Sequence, residues 1–200
     1  NFTSLDEAER ARGVQGLTGA SNADRAIWGE FDGRMNDLAD ESEAALERLS
    51  GENPIQPQEG DPTAPTGPSE ATALAKIRRQ QTFFRKAVLG SYGHRCCITG
   101  NPVPELLRAS HIVPWSQNET HRANPRNGLC LAATFDAAFD RGLITLDDDF
   151  CVLLSPRLKS FLPNAELERT FLEAEGRRIT LPEKNLPDLL LVTEHRKSFW

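Results

Sequence analysis

Apolar residues in the first part of the chain recur at helical steps, whereas the later part mixes helical spacing with short β-rich runs. Trp28, Phe31, Met35, Leu38, Ala45 and Leu49 follow one another at intervals of three and four, with Ser42 filling the one gap. That spacing predicts a single helix from Asn22 to about Ser50 with a heptad-like seam. Gly29 and Gly33 weaken it by about 1 kcal/mol each relative to alanine. The seam suits either a dimer arm or a face packed on its own domain. A shorter helical piece is expected around DEAERAR.

Residues 51–70, GENPIQPQEGDPTAPTGPSE, hold five prolines and three glycines and predict a flexible linker. A helix is expected over 70–91, with Ser69 as N-cap, Arg78, Arg79, Arg85 and Lys86 along it, and Gly90 and Gly93 ending it. RCCITG and LLRASHIV predict two strands of a hairpin bent around Asn101-Pro102, followed by a polar loop over 116–126. After Asn127-Gly128 an apolar stretch leads into a helix over roughly 132–141 that stops at Gly142. GLITLDDDFCVLLS predicts a second hairpin around Asp147-Asp148-Asp149. Residues 165–175 are expected to be helical, RRITLP extended and 187–200 helical. No internal repeat is visible. The sum is an α+β chain with an N-terminal helical segment (1–50), a linker (51–70) and a main domain (71–200).

Composition narrows the classes. The 200 residues are 38% hydrophobic and 26% charged, a globular balance without a run of about 18 apolar residues, so no membrane span is expected. The first twenty residues carry Asp6, Glu7, Glu9, Arg10 and Arg12 and no apolar core, unlike a secretory leader. Cys96 and Cys97 are adjacent and no C-x-x-C pair occurs, which argues against a zinc knuckle and for reduced, mostly buried thiols in a cytoplasmic protein. The net charge of −6 hides a pattern: 1–75 hold 15 acids and 5 bases, 76–126 hold 2 acids and 9 bases, and 127–200 hold 12 acids and 9 bases. The basic middle block suits phosphate, or equally a solvated helix face.

Candidate chemistry starts from Asp136 and Asp140. At i and i+4 they share one helical face, beside a stripe of Phe135 and Phe139 expected to face the core. Two carboxylates on a rigid helix suit Mg²⁺ or Mn²⁺, although such pairs are also common solvated features. His111, within RASHIVPW, is by itself either a hydrogen-bonded core histidine or a catalytic one. His94 at a turn and His195 beside Arg196 and Lys197 are expected at the surface, and His121 in the polar loop near phosphate. Trp115 is expected to cap the hairpin core or to stack on a base.

Taken in order, SHIVPW, NPRNGLCL and FDAAFDRGLIT resemble an HNH nuclease of the branch common among bacterial restriction-type enzymes. QTFFRKAVLGSYGHRCCITG, SPRL, EGRRITLP and LPDLLLVTEHRKSF extend the resemblance over about 75–200. It implies a ββα-metal core, a metal-dependent DNA endonuclease, and a bacterial restriction or defence setting. The family's first histidine falls on His111, its asparagine on Asn127 and its final histidine on Asp136. Asp in place of imidazole favours Mg²⁺ or Mn²⁺, one ion per site. Ser110 stands where many relatives place another ligand. Asp140 is then either the missing carboxylate or a helix-end contact to Arg141.

On this resemblance, His111 is the general base, since a neutral imidazole with a pKa of about 6.5 can take a proton from water near neutral pH. Asn127 orients the ring or the backbone near it, and the ion on Asp136 offsets charge on the departing oxygen. Arg85, Lys86, Arg95, Arg108 and Arg141 are expected to hold phosphates of double-stranded DNA. Cutting both strands needs two such units, which a homodimer would supply. Two rival readings stand: a catalytically weak or inactive DNA-binding module of the same fold, and a protein-interaction role for the acidic first 50 residues.

Overall fold

The computed structural model describes residues 5–14, 19–51 and 68–199. They fall into two compact units, one of Asn1–Lys86 with Thr120–Asn124 and one of Ala87–Glu119 with Pro125–Trp200. The linker expected over 51–70 lies outside the described residues from 52 to 67.

The first unit is helical: α1 (Glu7–Ala11), α2 (Asn22–Phe31), α3 (Met35–Ser50) and α4 (Pro68–Ser91) as far as Lys86. The single helix expected over 22–50 is therefore two. Gly33 takes a left-handed φ of 75° and breaks it. The four-residue step from Phe31 to Met35 keeps helical spacing across the break, which hides it in the sequence. Ser21 starts α2 with a reciprocal cap. Its Oγ accepts from the Asp24 N–H at 3.1 Å, and the Asp24 carboxylate accepts from the Ser21 N–H at 2.7 Å. α4 opens at Pro68, ahead of the expected Ser69 cap, and runs through Gly90. Acidic α3 and basic α4 are laced together. Arg79 meets Asp40 at 2.6 Å and Glu47 at 3.2 Å, and Lys86 meets Glu43 at 2.7 Å.

The second unit is mixed. RCCITG is a turn and not a strand, with Cys96 N–H on Asn101 O and Gly100 N–H on Cys96 O. The strand β1 (Leu107–His111) pairs instead with β2 (Gly128–Ala132), antiparallel, with Leu107 opposite Ala132 and His111 opposite Gly128. The first hairpin thus encloses the polar loop. α5 (Ala133–Asp140) follows β2 directly and packs across both strands, burying Phe135, Ala138 and Phe139. Its end is a Schellman turn. Gly142 at φ 62° donates to Phe139 O and Leu143 to Ala138 O, both at 2.9 Å. A Cβ on Gly142 would collide with the Phe199 side chain, so glycine is required twice over.

The second expected hairpin is present as β3 (Ile144–Leu146) and β4 (Val152–Leu154). α6 (Pro156–Lys159) starts at Ser155, whose Oγ accepts from Leu158 N–H, and α7 (Ala165–Thr170) starts at Asn164. RRITLP runs extended beside β4, bridged between Cys151 and Arg178. All four cysteines are free thiols; Cys96, Cys97 and Cys130 are buried.

α8 (Leu189–Phe199) closes the unit, and here the expectation for His195 fails. The residue is 4% exposed, on the buried stripe with Leu191 and Val192. Its Nε2 lies 3.1 Å from Phe139 O and its Nδ1 2.8 Å from Thr145 Oγ1. A carbonyl only accepts, so Nε2 carries the hydrogen and Nδ1 accepts from the threonine hydroxyl.

Burial pushes the His195 imidazole down to about 4, so it is neutral in the fold. An unfolded chain takes up this proton at about pH 6.5, which the folded chain resists. Stability should therefore fall as pH drops from about 6.5 to about 4, by on the order of 3 kcal/mol for this group. Urea unfolding over that range checks it; a flat profile, or His195→Phe with an unchanged slope, contradicts it.

Candidate functional site

Adjacent strand residues face opposite ways. His111 therefore shares its face with Leu107 and Ala109, while Ser110 points to the other side, 3% exposed and with no partner for its Oγ among the described residues. That separates Ser110 from the imidazole. Directly opposite the half-exposed His111 stands Gly128. The Trp115 ring packs edge-on against the imidazole, with centroids 5.8 Å apart and planes at 85°. This contact was not expected from sequence, where Trp115 read as a core cap or a base-stacking residue.

Asn127 is 1% exposed and closes the base of the loop between β1 and β2. Its Oδ1 accepts from the Val113 N–H at 2.9 Å and its Nδ2 donates to Val113 O at 3.0 Å. Its own carbonyl accepts from the Ile112 N–H at 2.9 Å. The amide orientation is fixed by this pair, since a flipped side chain would oppose donor to donor. Asn127 thus clamps the two residues that follow His111. The chain enters this position through Pro125–Asn127, a single 3-10 turn with Pro125 buried.

α5 carries the carboxylates. Asp136 is half-buried and Asp140 exposed, next to the buried Phe135 and Phe139, as their spacing predicts. Although Asp140 is largely solvent-accessible, partial desolvation and the Asp136 charge raise its carboxyl above its ordinary value, against the opposing pull of Arg141. The two acids are therefore near enough to repel. A divalent cation relieves that repulsion, and hard oxygen donors fit Mg²⁺ or Mn²⁺. Among the described residues no three of His, Cys, Asp and Glu gather as a ligand set. Two carboxylates are what α5 offers an ion here, and a hard cation with a largely aqueous shell is compatible with that number.

Of the expected phosphate contacts, Arg95, Arg108 and Arg141 belong to the second unit and are exposed. Their guanidinium groups rest on backbone carbonyls: Arg95 on Gly100 at 3.4 Å, Arg108 on Glu105 and Leu107 at 3.0 Å, Arg141 on Ala137 at 2.9 Å. Such contacts are easily exchanged for a phosphate. Arg85 and Lys86 belong to the first unit, and the Lys86 ammonium is held by Glu43. His121, also in the first unit, is half-buried with its Nδ1 3.3 Å from Asn124 Nδ2. His94 is exposed, as expected. His195 was missed, although its place four residues after Leu191 on an apolar stripe signals burial.

Comparison with known proteins adds a family match. Residues 96–147 match the HNH_2 family, described as HNH endonuclease. The match spans β1, the clamped loop, β2 and α5. No curated protein matches the chain. Among solved structures, a modification dependent TagI restriction endonuclease is similar at 21% identity and a TM-score of 0.43, over 58% of this chain. The chain spans 37% of the length of that protein.

Asn127→Ala should leave the Val113 N–H and C=O buried and unpaired, at a cost of about 3 kcal/mol. Urea unfolding against wild type measures it. A loss below about 0.5 kcal/mol, the scale of an ordinary surface substitution, contradicts the clamp.

Proposed function

We propose that this chain, an HNH endonuclease through its residues 96–147, nicks double-stranded DNA with His111 as general base. The observation that carries the reading is the Asn127 clamp on Val113, which fixes the backbone beside a half-exposed imidazole facing a glycine.

Hydrolysis of a phosphodiester requires water to lose a proton as its oxygen bonds to phosphorus. His111 takes that proton on a ring nitrogen, the bond from phosphorus to the 3′ oxygen breaks, and the departing oxygen takes a proton from solvent, leaving a 5′ phosphate and a 3′ hydroxyl. The edge of Trp115 restricts the ring's rotation, so the accepting nitrogen keeps its aim. Asp136 and Asp140 would hold one Mg²⁺ or Mn²⁺, which when bound offsets the charge developing at the scissile phosphate. Asn127 works through the backbone and is a positioning residue. Arg95, Arg108 and Arg141 take neighbouring phosphates without reading bases, so affinity should fall steeply with salt.

One such unit cuts one strand, and a homodimer would deliver a double-strand break. A bacterial restriction or defence role in the cytoplasm fits such an activity. No described helix is long and apolar enough to cross a membrane.

In a supercoiled-plasmid assay with Mn²⁺, His111→Ala should lower nicking by about 10²- to 10⁴-fold while DNA binding stays near wild type. Asp136→Asn should abolish the response to added Mn²⁺. Undiminished cleavage by His111→Ala removes it as the base. A wild-type chain that binds DNA and never nicks it points to a binding module of the same fold.

A further inference from the structure

α5 has eight residues and begins at Ala132 without a side-chain cap. A helix of two turns does not hold its own position; neighbouring contacts set it. At its C-terminal turn one such contact comes from α8. The His195 imidazole stacks flat on the Phe139 ring, with centroids 3.8 Å apart and planes at 6°. The same imidazole reaches the Phe139 carbonyl through Nε2 and the Thr145 hydroxyl through Nδ1. The Phe139 carbonyl sets the imidazole's tautomer, and the hydroxyl of Thr145, fully buried on β3, donates to the remaining nitrogen. Phe199, one turn further along α8, packs on the other side of His195 and against Gly142. Phe139 lies immediately before Asp140 and three residues after Asp136.

We propose that His195 is a positioning residue for the metal-binding carboxylates: it locks the last turn of α5 to α8 and β3 and so sets the aim of Asp136 and Asp140. This rests on the reading of those two acids as the ion's ligands. The imidazole touches neither acid and takes no part in proton transfer. Its hydrogen is committed to a backbone carbonyl and its lone pair to a hydroxyl. It acts as an outer partner that orients ligands through the backbone that bears them. Loss of such partners costs metal affinity far more than their distance from the ion suggests.

Titration of Mn²⁺ into the whole chain, followed by calorimetry, tests this without reference to cleavage. His195→Phe keeps an aromatic face for Phe139 and removes both hydrogen bonds. It should weaken Mn²⁺ binding about tenfold with far-UV circular dichroism unchanged. His195→Gln retains a donor for the Phe139 carbonyl and should recover most of the affinity. Wild-type Mn²⁺ affinity in folded His195→Phe overturns the proposal. If that variant fails to fold, Thr145→Val decides, because it removes only the hydrogen bond that ties the imidazole to β3: weaker Mn²⁺ binding supports the role and unchanged binding overturns it. Asp136→Asn runs alongside. Mn²⁺ bound by wild type, lost in Asp136→Asn and unaffected at His195 overturns the positioning role and leaves the reading of the acids standing. Mn²⁺ bound by neither wild type nor any variant overturns both.

Discussion

The side chain of one buried asparagine closes the loop on which the candidate site is built. Asn127 and Val113 are fourteen residues apart in sequence, and the amide of one satisfies both backbone groups of the other. A loop this long has considerable freedom at its stems. Two buried hydrogen bonds remove that freedom where it matters, immediately after His111. Because both partners are out of water, breaking the pair leaves unsatisfied polar groups behind, which makes the clamp stiff as well as stable. The glycine after Asn127 then faces the imidazole across the ladder. One dipeptide, Asn127-Gly128, thus supplies both the restraint and the residue paired with His111.

The rest of the second unit is built onto this hairpin. β2 leads without a connecting loop into α5, so the hairpin and the carboxylates are covalently coupled through Ala132. The apolar stripe of α5 faces the core, and its neighbouring stripe presents Asp136 and Asp140. The Schellman turn at Gly142 ends the helix and redirects the chain into β3. α8 then closes over that turn through His195 and Phe199. Electrostatics divide the labour. In the first unit the bases of α4 are largely answered by the acids of α3, whereas Arg95, Arg108 and Arg141 sit exposed on backbone carbonyls.

The sequence made the site's motifs visible and its pairing invisible. His111, Asn127 and the two aspartates stand out because each belongs to a short stretch with its own chemistry. The second hairpin was legible because its strands are adjacent and separated by an acidic turn. The first was misassigned because RCCITG is β-rich and local, whereas the true partner of β1 lies beyond a polar loop. Spacing within a strand carries no information about which distant strand it meets. The break at Gly33 was hidden for a related reason, since a four-residue step looks the same through a helix or across a kink. His195 was misjudged from its charged neighbours when its own stripe, shared with Leu191 and Val192, runs to the core. Of the two partners expected for Asn127, the ring or the backbone near it, the clamp on Val113 is the backbone one, and its exact partner depends on the loop's fold.

Single-turnover nicking of a supercoiled plasmid by Asn127→Ala, at a temperature where the variant is folded, tests the central claim most directly. If the clamp is what holds His111 in its working position, turnover should drop toward that of a chain without the imidazole, although His111 is still present. Cleavage at the wild-type rate by folded Asn127→Ala would contradict the account.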